Sequence, residues 1–390
     1  DWSSDVCSSD LQGSGQSRAV SSPLSGLGGQ PVRQSHARMD EHLRQAGIDN
    51  GSAGTVPDGR GYPSGARGAD DGVVGHAGGR GRHGQPCFDQ KVPSGGYLWW
   101  YVDAMSDDMQ HSLTLIAFVG SVFSPYYRWA RRRGDSTPEN HCAINVALYG
   151  RAGRWAMTER AHRHNHRDAS SFVVGPSRLD WDGQCLHIRL DEVCVPWLKP
   201  LRGRIRLWPQ SLSRFSVPLD EQGKHRWGPL SPVGRIEVDL QDPKLNWTGQ
   251  AYLDSNEGDE PLEDAFHLWD WSRTHHADGS TEVTYDLHGP DRPDRLLRLR
   301  FDPQGQVEHL PTVPHRALPK TAWRIPRRMR SVDQPRVAQQ LEDTPFYQRC
   351  LLSRPELGPR VHTFHESLSM PRFVSPVVQA MLPWRMPRRV

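Results

Sequence analysis

The sequence lacks paired cysteines, long hydrophobic runs and a large net charge, and each absence argues against a class of protein. Its 6 cysteines include no Cys-x-x-Cys pair, so we expect no disulfide framework and favour a reducing compartment. The longest hydrophobic run, residues 113–123, is too short to span a bilayer, and no secretory signal is visible. A net charge of +3 gives no reason to expect a nucleic-acid partner.

The first 85 residues contain few large apolar side chains. Residues 12–85 hold half of the 36 glycines and no tryptophan, so they bury too little apolar surface to offset the entropy of ordering and are predicted to be disordered. Residues 1–11, DWSSDVCSSDL, resemble the translation of a sequencing adapter and are excluded from the fold. We expect the folded part of the chain to run from residue 86 to residue 390.

The part of the chain after residue 85 consists mainly of short segments typical of β-strands. Residues 97–105 and 112–123 predict one hairpin, and residues 141–150 and 154–160 predict another. Many short strands at near-even spacing favour β-barrels or sandwiches. The fold is therefore predicted to be mainly β.

Helical signals are few. Residues 262–274, LEDAFHLWDWSRT, are predicted to form one helix. Residues 373–382 are predicted to form a second, because their apolar side chains recur at helical spacing. The second helix would give the β-rich chain a short helical tail.

Two motifs resemble functional signatures but lack the context that those signatures need. Gly79 to Gly84 matches the dinucleotide fingerprint, yet it lies in the glycine-rich segment with no strand before it and no helix after it. His162, His164 and His166 alternate as metal ligands on a strand would. Their polar surroundings, AHRHNHRDAS, favour a solvated loop instead.

The most unusual stretch is AYLDSNEGDEPLE, residues 251–263, which carries five carboxylates. Tyr252 and Asp254 stand two residues apart, as do His225 and Trp227 in KHRW, so on strands each pair points to one face. If both faces line one cavity, the site combines an imidazole, an indole, a phenol and a carboxyl. The alternative is that the two aromatic residues belong to the core and Asp254 begins a turn.

The remaining acids of this stretch are predicted to be loop or helix N-terminal carboxylates, because Asn256-Glu-Gly258 is a turn signal. A glycosidase with Asp254 and Glu257 as its paired carboxylates is a weaker alternative. Two side chains three residues apart on one loop rarely straddle a glycosidic bond.

Long stretches of the chain match one known family in order. They are GGYLWWYVDAMSDD (95–108), IAFVGSVFSPYYRWARRRG (116–134), NHCAINVALYG (140–150), RWAMTER (154–160), KHRWGPLSP (224–232), YLDSNEGDEPLEDAF (252–266) and WDWSR (269–273), followed by HESLSMPRF and MLPWRMPRR. In these stretches the chain resembles the carotenoid 1,2-hydratases, or hydroxyneurosporene synthases, of purple photosynthetic bacteria. The resemblance covers residues 86–390, and residues 12–85 carry none that we can place.

The resemblance implies a fold and a reaction. The fold would be two lipocalin-like β-barrel domains, which we place at residues 86–235 and 236–390, the latter with the C-terminal helix. The reaction would add water, without a cofactor or a metal, to the terminal C1–C2 double bond of an acyclic carotenoid such as neurosporene or lycopene. A non-catalytic carrier of an apolar ligand is the alternative.

The family's catalytic residues map onto four positions of this chain. Asp254 would protonate the alkene, provided that a dry pocket keeps its carboxyl neutral. Trp227 and Tyr252 would face the resulting cation, and His225 would hold the water or hydrogen-bond Asp254. Three further residues, Trp100, Tyr101 and Asp103, are expected to contact the substrate.

A carotenoid must reach the protein from a membrane, because it is almost insoluble in water. The predicted C-terminal helix has an apolar face and basic flanks, so residues 373–390 are expected to bind an anionic lipid surface. The alternative is that this helix packs on a barrel. We expect a cytoplasmic protein peripherally bound to the inner, photosynthetic membrane.

Overall fold

A computed structural model describes residues 84–290, 293–359 and 361–390. The segments 1–11 and 12–83, and the Gly79 to Gly84 motif apart from its last residue, lie outside the described residues. The described residues belong to one compact unit.

The first sheet is built of strands whose side chains alternate between two faces. They are β1 Tyr97–Ser106, β2 Ser112–Val119, β3 Cys142–Tyr149, β4 Arg154–Arg160, β5 Asn165–Arg167, β6 Ser171–Val174, β7 Ser177–Trp181, β8 Leu186–Cys194, β9 Lys199–Pro209, β10 Val217–Pro218, β11 His225–Asp242, β12 Leu245–Gly258 and β22 Arg388–Arg389. Within the described residues the order is β22-β4-β3-β2-β1-β12-β11-β9-β8-β7-β6-β5, with β10 beside β11. The sheet curls, since β4 contacts β8 across it.

The second sheet follows in the chain. Its strands are β13 Leu268–His275, β14 Thr281–His288, β15 Arg295–Phe301, β16 Val307–His309, β19 Arg336–Asp343, β20 Tyr347–Ser353 and β21 His362–Ser369, and a separate pair is formed by β17 His315–Ala317 and β18 Arg328–Arg330. The order in the described part of the sheet is β16-β15-β14-β13-β21-β20-β19. The α-helices are α1 Pro125–Arg132, α2 Leu262–Ala265, α3 Met370–Phe373 and α4 Pro376–Arg385.

The prediction of a mainly β fold is confirmed, and both predicted hairpins form as β1–β2 and β3–β4. The predicted boundary at residues 235 and 236 falls inside β11, whereas the chain passes from the first sheet to the second between β12 and β13. The predicted second helix is present, with α4 at Pro376–Arg385.

The helix predicted over residues 262–274 is wrong for most of its length. Only Leu262–Ala265 is helical, and β13 begins at Leu268. Along β13, Trp269 and Trp271 point into the core between the sheets, which is the period-2 pattern of a strand. Pairing with β14 on one side and β21 on the other overrides the local helical signal.

Two hydrophobic cores meet at β1, which explains why this strand is so apolar. Leu98 and Trp100 belong to the core enclosed by the curled first sheet. Tyr97, Trp99 and Tyr101 point the other way, into the core shared with the second sheet. Because successive side chains of a strand alternate, one strand supplies both cores.

Candidate active site

Three neighbouring strands of the first sheet bring the predicted site residues to one face. In the antiparallel register, Trp227 of β11 lies opposite Asn256 of β12, and Tyr101 of β1 lies opposite Asp254. Residues two apart share a face, so Tyr252 and Asp254 both point towards the second sheet. No turn begins at Asp254, because β12 continues to Gly258.

Asp254 is held by two neutral hydrogen-bond donors. The indole Nε1 of Trp227 donates to Oδ2 at 2.9 Å, and the hydroxyl of Tyr252 donates to the same oxygen at 2.8 Å. Among the described residues the buried Oδ1 has no hydrogen-bond partner. Because Oδ2 accepts twice, a proton on this carboxyl belongs on Oδ1.

The environment of Asp254 favours the protonated carboxyl. Only 2% of the residue is exposed, and this burial is the largest cause that raises its pKa to about 7. The hydrogen bonds from Trp227 and Tyr252 act in the opposite direction, while the charges of Glu366 and Asp103 raise the pKa further. Asp254 therefore carries its proton in a substantial fraction of molecules near neutral pH.

Asp254 borders a cavity between the two sheets. The cavity holds about 1200 Å³ of atom-free space, including its open mouth. Aromatic side chains dominate the wall nearest the carboxyl: Trp99, Tyr101, Trp269, Trp271 and Tyr285. Such a cavity suits an apolar ligand whose reacting part lies against aromatic faces.

Trp227 and Tyr252 lie behind Asp254 and do not line the cavity. Their polar groups face the carboxyl, so the expectation that their rings face the substrate is not met by this arrangement. Both are fully buried, with exposures of 1% and 0%. They contact the cavity wall through Asp254 and through ring contacts, Trp227 with Tyr285 and Tyr252 with Trp271.

His225 lies further along the same face and does not hydrogen-bond Asp254. Its Nδ1 is 2.8 Å from the hydroxyl of Tyr97, and its Nε2 is 3.6 Å from Oε1 of Glu260. The ring of Tyr97 stacks on Trp99 with centroids 4.8 Å apart. His225 is thus connected to the cavity wall through Tyr97.

The three residues expected to contact substrate lie in three different environments. Trp100 points away from the cavity and packs against Phe88 in the other core, because it alternates with Tyr101 along β1. Its predicted contact with substrate is therefore wrong. Tyr101 lines the cavity. Asp103 is fully buried and accepts hydrogen bonds from Arg273, at 2.7 Å, and Arg349.

The other predicted functional groups lie outside this site. His162, His164 and His166 are exposed, as expected, but they lie in a 3-10 helix and on β5 and do not form a loop. Glu257 lies three residues beyond Asp254 on the same strand, so it points to the opposite face, and it is 3.9 Å from Arg226. Because Asp254 and Glu257 point to opposite faces of the strand, they cannot serve as the paired carboxylates of a glycosidase.

Sequence reasoning missed the second wall of the cavity. Glu366 of β21 and Arg349 of β20 come from more than 90 residues further along the chain, and no motif connects them with Asp254. Trp269 and Trp271 lie in the segment for which the sequence predicts a helix. Leu382, Arg385 and Met386 at the end of α4 also line the cavity. The one signal in the sequence for this wall is the period-2 spacing of the two tryptophans in WDW, residues 269–271, which is typical of a strand.

One cluster in the described residues has the composition of a metal site. Ligand atoms of Asp286, His288 and His315 lie within 4.8 Å of one another. However, the Nε of Arg330 donates to Asp286 at 2.7 Å, and Arg328 hydrogen-bonds His288. Two guanidinium groups at the ligand atoms oppose the binding of a cation.

The fold and the cavity define a class: a mainly β protein that encloses an apolar, aromatic-lined pocket with buried acids in its wall. Within that class, the model of the family described as carotenoid hydratase CrtC matches residues 115–390. The chain belongs to this family, and the resemblance inferred from the sequence is confirmed.

Two similar proteins are both named acyclic carotenoid 1,2-hydratase. The acyclic carotenoid 1,2-hydratase of Rubrivivax gelatinosus is 50% identical over 96% of this chain and 94% of its own length. That of Thiocapsa roseopersicina is 48% identical over 94% of this chain and 91% of its own length. The first alignment extends over most of residues 12–85, where the sequence alone indicated no resemblance.

Among solved structures, kievitone hydratase from Nectria haematococca aligns over 73% of this chain and 98% of its own. The identity is 8% and the TM-score 0.42, so this likeness carries no argument about function.

Proposed function

We propose that this protein adds water to the terminal C1–C2 double bond of an acyclic carotenoid, such as neurosporene or lycopene, and produces a tertiary alcohol. One observation carries the proposal: Asp254 lines an aromatic cavity, and its buried Oδ1 has no hydrogen-bond partner among the described residues. Membership of the carotenoid hydratase family and relatives described as acyclic carotenoid 1,2-hydratases support the choice of substrate.

Asp254 acts as the acid. Its Oδ1–H transfers a proton to C2, the π electrons form the new C–H bond, and the positive charge remains on C1, the more substituted carbon. Trp99, Trp269 and Trp271 line the same cavity as the acid, and an aromatic face against the cation in a desolvated site is worth about 2 kcal/mol or more for one ring. Water then bonds to C1.

Polar groups that could hold this water lie in the same wall. Asn256 Nδ2 and Trp271 Nε1 are buried and, within the described residues, have no hydrogen-bond partner. Both residues line the cavity, so both can donate to a water oxygen. Trp227 and Tyr252 hold Asp254 in position, and His225 holds Tyr97 against Trp99.

The test is product analysis of the purified protein with neurosporene or lycopene in liposomes. We expect a product heavier by one water, with the hydroxyl on the terminal tertiary carbon. A carrier of apolar ligands would bind the pigment and return it unchanged. That result would reject the hydratase and leave the carrier alternative.

The pH dependence follows from the pKa of Asp254. The acid must be protonated, so activity is expected to fall about tenfold per pH unit as the pH rises above about 7. Trp227→Phe removes a hydrogen bond that lowers this pKa, so the alkaline limb should move to higher pH. The measurement is kcat/KM against pH.

Trp247→Phe is the matched control, because Trp247 is also buried but packs in the other core, and its Nε1 has no partner among the described residues. Its profile should keep the wild-type midpoint. If Trp227→Phe left the midpoint unchanged, Asp254 would not be the titrating group.

We also propose that the two sheets correspond to two lipocalin-like units, with the division between β12 and β13 in place of residue 235. Within this proposal the cavity between the sheets is the ligand pocket, and each sheet supplies one of its walls.

We propose in addition that the protein binds a membrane surface from which it takes its substrate. No helix in the described part of the chain is long and apolar enough to span a bilayer. The apolar face predicted for the C-terminal helix is divided, because Phe373 and Leu382 are buried. Val377 and Trp384 are 70% and 83% exposed, on the helix whose other side lines the cavity.

The basic flanks of this helix are engaged within the protein. Arg372 donates to the carbonyls of Trp323 and Arg324, and Arg388 pairs with Glu159. The lipid contact is therefore assigned to Val377 and Trp384, whose apolar side chains would enter the headgroup boundary.

The double variant Val377→Ser and Trp384→Ser is expected to float less with anionic liposomes than the wild type, because less apolar surface enters the bilayer. Flotation in a density gradient measures the effect. Val332→Ser is the control, since Val332 is 54% exposed but lies between β18 and β19. Equal flotation of wild type and double variant would contradict the proposal.

A further inference from the structure

A second carboxyl faces the same cavity from the opposite sheet. Glu366 of β21 lines the cavity, as Asp254 of β12 does. On the second sheet, Glu366 lies directly between Trp271 of β13 and Arg349 of β20 in register. Asp254 and Glu366 therefore face the cavity from different sheets and lie 112 positions apart in the sequence.

The partners of the two carboxyls differ in charge. The hydroxyl of Tyr101 donates to Glu366 Oε1 at 2.8 Å, and the guanidinium of the fully buried Arg349 donates to the same oxygen. Asp254 has only the neutral donors Trp227 and Tyr252. Burial raises the pKa of both carboxyls, but the Arg349 cation beside Glu366 opposes that rise and stabilises its ionised form, so we place a single proton of the pair on Asp254.

The hydration releases one proton, for which the ionised Asp254 is one acceptor and a second carboxyl of the cavity wall is another. When water bonds to C1, one of its O–H bonds must break, and the released proton must go to a base near that water. His225, the residue expected from the sequence to hold the water, does not line the cavity. Glu366 does, next to Trp271, whose Nε1 is available to the water within the described structure.

We propose that Glu366 is the base that accepts the proton of the attacking water. This inference rests on the proposed hydratase function. A lone pair of the water oxygen forms the C1–O bond, one O–H bond breaks, its electrons stay on oxygen, and the proton moves to Glu366. Asp254 is then ionised and Glu366 neutral, and return of that proton through the next water molecule restores the starting state.

Glu342 is a third carboxyl in the cavity wall, but it fits the role less well. It accepts a hydrogen bond from Tyr149. The charges that raise the pKa of Asp254 come from Glu366 and Asp103, so of the two glutamates Glu366 is the one coupled to the acid.

The experiment compares Glu366→Gln with Asp254→Asn and the wild type in D2O, with lycopene in liposomes. The amide of the Glu366→Gln variant cannot accept a proton, so hydration should fall about 10²–10⁴-fold. Asp254 still deuterates C2, and a cation that is not captured loses a proton and returns to alkene. Recovered lycopene should therefore gain deuterium with Glu366→Gln and none with Asp254→Asn, as read by mass spectrometry.

Glu356→Gln is the matched control, because Glu356 also accepts a hydrogen bond from an arginine, Arg354 at 3.1 Å, outside the cavity. It should behave as the wild type. Circular dichroism checks the fold, and if Glu366→Gln is unfolded, Glu366→Asp takes its place. The displaced carboxyl of that variant should lower hydration and raise deuterium recovery.

Several results would overturn the assignment. Hydration by a folded Glu366→Gln variant at the wild-type rate would show that another group takes the proton. Loss of hydration without deuterium gain in a folded variant would place Glu366 before, not after, protonation. The hydratase function itself fails only if the wild type forms no alcohol, so the two failures are distinguishable.

Discussion

Asp254→Asn is expected to reduce hydration of neurosporene or lycopene by about 10²–10⁴-fold, the usual contribution of a general acid. The side-chain amide has the shape of the carboxyl, and its oxygen can still accept from Trp227 and Tyr252. What it lacks is a transferable proton on the atom that faces the cavity. The measurement is initial rate by product chromatography, together with pigment binding by absorbance.

The expected loss is confined to turnover. Pigment binding should stay near the wild-type value, because the aromatic wall is unchanged. Asp239→Asn makes the same chemical change at an exposed position of β11 and should leave both quantities unaltered. Hydration by Asp254→Asn within a few-fold of wild type would remove this carboxyl from the mechanism.

Arg349→Met is expected to have the largest effect on stability, a loss of about 3–5 kcal/mol in the free energy of unfolding. Arg349 is fully buried and pairs with Asp103 and Glu366. Removing the guanidinium leaves buried carboxylates without one of their compensating charges, and a buried unpaired charge is costly. Chemical denaturation followed by tryptophan fluorescence measures the change.

Arg206→Met is the comparison for this variant. Arg206 pairs with Glu237 at 2.6 Å, but the side chains are 48% and 31% exposed, so the pair is screened by water. Its removal should cost at most about 1 kcal/mol. Similar losses for the two variants would mean that burial does not set the value of the Arg349 pairs.

Local periodicity predicted which residues of β12 share a face with Asp254. The i, i+2 spacing of Tyr252 and Asp254 predicted a shared face, and in the structure the phenol hydroxyl lies 2.8 Å from the carboxyl. The same rule applied to β1 places Trp100 and Tyr101 on opposite faces of the strand, so only one of them can line the cavity. That residue is Tyr101. The sequence also indicated the family through long, ordered motifs, and the family model confirms it.

The second wall could not be predicted from local pattern. The stretch LEDAFHLWDWSRT is compatible with both helix and strand, and only pairing with β14 and β21 makes most of it a strand. Glu366, paired with Arg349, reaches the cavity because two separate sheets pack face to face. No residue spacing along the chain indicates that these two sheets pack against each other.

By itself, the sequence determined the strands, the alternation of side chains along them and the family, because these depend on residues close together in the chain or on long motifs. Only the tertiary structure decided which carboxyl of AYLDSNEGDEPLE is buried and what surrounds it. The pKa of Asp254, about 7, depends on removal of water by residues from both sheets and on the charge of Glu366. Desolvation is a property of the packed molecule, so the acid is set apart from its four neighbouring carboxylates only when the sheets meet.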